Sequence, residues 1–142
     1  MTYPNCKFIK RIAEFQKKEV REHVPDNTRG IYVLLNQEPK DRPKNKYEVV
    51  YIGMSGRSNK SGIYARLDDH DKSKKEWTHF SLFEVHDNIT NTEIKELEAL
   101  ILCIYRRDPR VNKQNKQLRH RPFHQISEDI PKWNKCKYKL WL

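Results

Sequence analysis

Short apolar runs alternate with charged stretches along the chain, and the spacing within each run predicts an element. Phe8, Ile9, Ile12 and Phe15 recur at helical intervals with Lys and Glu between them, which predicts an amphipathic helix over residues 8–20, ending before Pro25-Asp26-Asn27. Gly30-Ile31-Tyr32-Val33-Leu34-Leu35 and Val49-Val50-Tyr51-Ile52-Gly53 are β-branched and aromatic runs of strand length. The polar stretch between them, with Pro39 and Pro43, makes them an antiparallel hairpin with a long loop. After a Gly/Ser-rich turn from Ser55 to Gly62, a helix is expected at about 62–74 and a strand at about 79–86. Thr90 and Glu93 form a capping box for a helix whose apolar periodicity runs from Ile94 to Tyr105 and which Pro109 stops. From Leu118 the chain reads as loop with an aromatic end, Trp133, Tyr138 and Trp141, expected to pack back on the domain.

At 142 residues the chain has room for one domain with short extensions. No apolar run approaches the ~18–20 residues of a membrane span, and Met1-Thr2-Tyr3-Pro4-Asn5-Cys6-Lys7 lacks a secretory apolar core, so a soluble cytoplasmic protein with no membrane partner is expected. Cys6, Cys103 and Cys136 are odd in number and far apart, which argues against a disulfide framework. His120, His124 and Cys136 lack a fourth ligand and match no common zinc spacing. The net charge of +10 points to a polyanion such as nucleic acid. It is uneven: residues 1–29 carry +3, residues 30–105 carry −1 and residues 106–142 carry +8. In the last part Arg106, Arg107, Arg110, Lys113, Lys116, Arg119 and Arg121 alternate with amides, a spacing that suits phosphate contacts. A solvated basic face accounts for the same run equally well.

Three features sit badly in an ordinary core. Glu98 falls inside the helical stripe formed by Ile94, Leu97, Ile101, Ile104 and Tyr105, where a carboxylate needs a cation, a proton or hydrogen-bond donors. Arg66 and His70, spaced i and i+4, share the side of their helix defined by Ile63 and Leu67, unless Asp68, Asp69 and Asp71 satisfy them locally. Pairing Leu35 with Glu48 sets Tyr32 opposite Tyr51, each close to a glycine.

Taken in order, Gly30-Ile31-Tyr32, Tyr51-Ile52-Gly53, the helical Arg66 and His70, the helical Glu98 and Pro109-Arg110-Val111-Asn112 resemble the GIY-YIG nuclease family over about residues 29–115. The resemblance implies an α/β fold of the α+β type, a small domain with a central three-stranded antiparallel sheet flanked by helices. A helical N-terminal extension (1–28) and a basic, aromatic C-terminal extension (116–142) would flank it. It implies hydrolysis of DNA phosphodiester bonds with a single Mg²⁺ or Mn²⁺, Glu98 being the sole protein ligand of that ion.

By the same resemblance Tyr32 takes the proton from the attacking water, which requires nearby positive charge, from Arg66, His70 and the metal, to favour phenolate. Arg66 neutralises charge on the phosphate, Tyr51 hydrogen-bonds the scissile group or water, His70 assists, and Asn112, with Asn115 as a second candidate, holds the site in place. Met54 stands where some repair-type members carry a lysine, leaving His70 or Lys60 as substitutes. The motif tyrosines are nineteen residues apart, and the intervening loop carries Lys40, Arg42, Lys44 and Lys46. Lys44, Lys46, Arg57, Lys60, Arg106, Arg107, Arg110, Lys113 and Lys116 are the expected DNA-binding residues.

The first expectation is a restriction or mobile-element endonuclease acting on double-stranded DNA, with a homodimer as one way to cut both strands. The alternatives are a structure-selective repair nuclease and a non-catalytic nucleic-acid-binding module of the same fold, and RNA remains open as a substrate.

Overall fold

The structure is a computed structural model and describes residues 8–37, 47–56, 62–73 and 75–105. Five strand-and-helix assignments from the sequence have direct counterparts. The hairpin is β2 (Gly30–Gln37) and β3 (Tyr47–Ser55), followed by α1 (Ile63–Lys72), β4 (His79–Val85) and α2 (Asn91–Tyr105). The capping box forms at the start of α2: the Thr90 amide donates to Glu93 Oε1 at 3.2 Å and the Glu93 amide to Thr90 Oγ1 at 3.2 Å.

Residues 8–20 do not form the expected helix. Ile9–Lys17 is a strand, β1, followed by a short 3₁₀ helix over Lys18–His23. β1 pairs antiparallel with β4 and its register slips twice, between Ile9 and Arg11 and between Ala13 and Gln16. Each slip inserts one residue into β1, so its apolar positions lose strict alternation and fall at intervals of three, which mimic a helix in the sequence. At the second irregularity Phe15 has φ 51° and its amide donates to Ser81 Oγ at 3.0 Å, so the departing backbone stays tied to β4. Among the described residues the sheet therefore has four antiparallel strands in the order β1-β4-β2-β3, not three. The segment read as a helical extension supplies the fourth.

Successive residues of β2 point to opposite faces, and each face is buried. Tyr32 and Leu34 join Phe80, Leu82 and Trp77 beneath Ile63 and Leu67 of α1, while Ile31 joins Ile52, Val85 and Ile89 beneath Ile94 of α2. Leu97, Ile101, Leu102 and Tyr105 continue the α2 contact. Ile104, placed in that stripe from the sequence, is 71% exposed.

Two polar ties fix the helices. Asp71 of α1 accepts from Lys18 at 2.5 Å and from Arg21 at 2.8 Å, which joins the end of α1 to the 3₁₀ helix. Buried Arg29 donates to the Ile89 carbonyl at 2.5 Å and to Asn91 Oδ1 at 3.2 Å, which joins the start of β2 to the start of α2. Among the described residues no helix is long and apolar enough to cross a membrane.

Candidate active site

The two tyrosines meet, but not by the pairing expected from the sequence. Tyr32 lies opposite Gly53, and Tyr51 opposite Leu34; a register shift follows between Leu34 and Leu35, where Leu35 pairs with Val49 rather than Glu48. Tyr51 is thus the diagonal neighbour of Tyr32 on the same face, with ring centroids 6.0 Å apart. Gly53 makes this approach feasible. A Cβ there would lie 2.6 Å from Tyr32 Oη and 2.7 Å from Tyr51 Cε1, closer than side-chain atoms sit.

α1 brings His70 onto the pair. Its Nε2 lies 2.8 Å from Tyr32 Oη, and its ring centroid 4.5 Å from that of Tyr51. The i, i+4 relation predicted for Arg66 and His70 holds, since both are in α1, but their environments differ: His70 is half-buried and Arg66 is exposed. Local acids do not absorb the guanidinium. Asp68 pairs with Lys72 and Asp71 with Lys18 and Arg21, and Arg66 makes no hydrogen bond or ion pair with a described residue. Its charge is nonetheless felt by Tyr32, Tyr51, His70 and Glu98.

Glu98 reaches this group from α2, which packs mainly against β3. The carboxylate is half-buried and has no hydrogen bond or ion pair with a described residue. Burial raises its pKa, partly offset by Lys95 and Arg66. Its charge in turn raises the pKa of both tyrosines. Among the described residues no three His, Cys, Asp or Glu side chains converge as a metal cage. An unpaired, partly desolvated carboxylate is nevertheless what a hard divalent ion needs from a site that leaves most of its shell to water and phosphate oxygens. Glu98 fits that requirement alone.

The protonation states correct one expectation. Burial, then the Tyr51 charge, pushes the Tyr32 pKa well up, against a smaller lowering by Arg66. His70 supplies no positive charge to counter this. Burial, then Lys75, lowers its pKa from 6.5 to about 4, so the ring is neutral near pH 7. It stands beside Tyr32 as a hydrogen-bonding nitrogen, not as a cation.

Lys75 itself was not picked out from the sequence, where it is one lysine in Lys72-Ser73-Lys74-Lys75 with no periodicity to mark it. In the structure its Nζ lies 4.1 Å from the centroid of the Tyr51 ring. Asn112, Lys44, Lys46, Arg57, Lys60, Arg106, Arg107, Arg110, Lys113 and Lys116 lie outside the described residues, as do Asn115, Cys6, His120, His124, Cys136 and the segment 116–142. Compared with protein families, curated proteins and solved structures, the chain shows no match to any.

Proposed function

We propose that the chain is a metal-dependent endonuclease of the GIY-YIG type that hydrolyses phosphodiester bonds in DNA. The observation that carries this reading is a half-buried carboxylate, Glu98, and a guanidinium, Arg66, that form no ion pair with a described residue and whose charges both act on Tyr32, itself hydrogen-bonded to His70. A structural role would have closed Glu98 onto a cation, because an unpaired carboxylate out of water is costly. A site awaiting a cation on the carboxylate and a phosphate on the guanidinium keeps both open. The +10 charge of the whole chain supplies the long-range attraction for such a substrate.

Glu98 would hold one Mg²⁺ or Mn²⁺, which when bound supplies positive charge to the scissile phosphate and the leaving 3′ oxygen. Arg66, exposed at the edge of α1, takes a non-bridging phosphate oxygen and neutralises charge that grows as water attacks. Tyr32 accepts the proton of that water while passing its own to His70 Nε2, the partner already at 2.8 Å. A bound phosphate favours this transfer, since its negative charge raises the pKa of His70. The water oxygen bonds to phosphorus, the bond to the 3′ oxygen breaks, and solvent protonates the departing oxygen. Tyr51, beside both groups, hydrogen-bonds the phosphate or the attacking water.

The test is incubation of the protein with supercoiled plasmid, branched DNA and single strands, in Mg²⁺, Mn²⁺ or chelator. Metal-dependent cutting that Glu98→Ala abolishes, with binding retained, is the expected result. Discrete plasmid fragments mark a site-specific enzyme of the restriction or mobile-element kind, and cutting confined to branched DNA marks a repair nuclease. Binding without cutting in either metal overturns the enzyme in favour of a binding module.

A further inference from the structure

Lys75 occupies a position that packing alone does not explain. It lies in the connection between α1 and β4, half-buried, with its ammonium against the Tyr51 ring, and it makes no hydrogen bond or ion pair with a described residue. Most lysines keep the ammonium in water and lay only the stem on apolar surface. Here the head group itself is drawn in, and burial lowers its pKa. Among the described residues no acid is ion-paired with it: Asp71 and Asp68 of α1 are engaged with Lys18, Arg21 and Lys72, and Asp69, exposed on the same helix, lends its charge to His70. Its charge instead falls on His70, whose pKa it lowers.

Two cations with no ion-paired carboxylate among the described residues therefore bear on the Tyr32–Tyr51–His70 group, Arg66 through its charge and Lys75 through its contact with the Tyr51 ring. We infer that Lys75 is a second phosphate-binding residue of this site, contacting an oxygen of the bound strand's backbone alongside Arg66. The inference rests on the nuclease reading for its substrate, but the contact itself is a statement about binding. A strand phosphate satisfies the ammonium without the desolvation cost of a buried acid, and the Tyr51 ring fixes the approach of Nζ.

The experiment compares the full chain with Lys75→Met, which keeps the apolar stem, Lys75→Arg, which keeps the charge, and Lys72→Met as a control at an exposed lysine already paired with Asp68. Binding to a short DNA duplex is measured in chelator over a range of salt, and single-turnover cleavage in Mg²⁺. Loss of one phosphate contact makes the log–log salt dependence shallower by about 0.9. That change in Lys75→Met, with cleavage slowed about a hundredfold, the order reported for removal of one charge-stabilising donor, supports the contact, as does retention of the slope by Lys75→Arg. An unchanged slope and rate in folded Lys75→Met overturns it, and so does an equal change in Lys72→Met. Should the Met variant fail to fold, Lys75→Gln is read by the same two criteria. If the unmutated chain cuts no DNA, the nuclease reading fails, while the salt slope still decides for or against Lys75.

Discussion

Gly53→Ala is the sharpest perturbation the site offers, because it adds one methyl at the point where both tyrosines converge. The new Cβ would stand 2.6 Å from Tyr32 Oη and 2.7 Å from both Tyr32 Cζ and Tyr51 Cε1, whereas ordinary contact begins at 3.4 Å. The phenol must then retreat by about 0.8 Å. Tyr32 is 2% exposed, so its ring cannot swing into solvent and the displacement falls on the packing under α1. The hydrogen bond to His70, 2.8 Å long, has only about 0.7 Å of stretch before it passes 3.5 Å and ceases to count as one. Overpacking of this kind costs about 1–3 kcal/mol. Urea unfolding should show that loss as a lower midpoint with unchanged slope, and single-turnover cleavage should fall because the proton acceptor of the proposed mechanism would lose its partner. A Gly53→Ala variant with the midpoint and cleavage rate of the unmutated chain would refute the placement of the tyrosine pair.

Three further outcomes are expected. Glu98→Gln removes a half-buried unpaired charge, so it should raise the melting temperature at pH 7 while abolishing metal-dependent cleavage; a lower melting temperature would show that Glu98 is a structural ion-pair member. His70 has its pKa lowered from 6.5 to about 4, so between those values the unfolded chain binds the extra proton and stability rises with pH. That contribution is lost as pH falls from 6.5 towards 4. His70→Gln should flatten this limb, and the difference between the two pH profiles separates it from Glu98, whose raised pKa acts with the opposite sign. Arg66→Ala, which breaks no described hydrogen bond or ion pair, should leave the melting temperature nearly unchanged and slow cleavage by about 10²–10³-fold; a large loss of stability would mean that the guanidinium is structural.

Elements whose local rule agrees with their tertiary setting were legible in the sequence. α2 announces itself by the Thr90–Glu93 box, and Glu98 by its place four residues after Ile94. Arg66 and His70 followed from helical spacing on α1. β1 was misread because its two register shifts stretch the apolar intervals from two to three, and helical and bulged-strand spacings then coincide. The hairpin register failed for a related reason: the shift after Leu34 is a backbone event that leaves no mark in the residue types. Lys75 was invisible because a connecting segment has no period, and its contact with Tyr51 exists only once α1 and β3 are packed. The state of His70 was missed since burial, which sets it, is a property of the assembled site.

The pairing of β1 with β4 also fixes how far the molecule can be shortened. The motifs of the candidate site begin at Gly30, and a chain that started there would keep every one of them. It would also strip the outer strand from β4 and leave a ladder of free amides and carbonyls beside Phe80, Leu82 and Phe83. Such an open border invites pairing between molecules, and the shortened chain would be lost to aggregation before its chemistry could be assayed. The smallest unit that can be handled in solution is therefore set by the sheet, some twenty residues ahead of the motif that names the site.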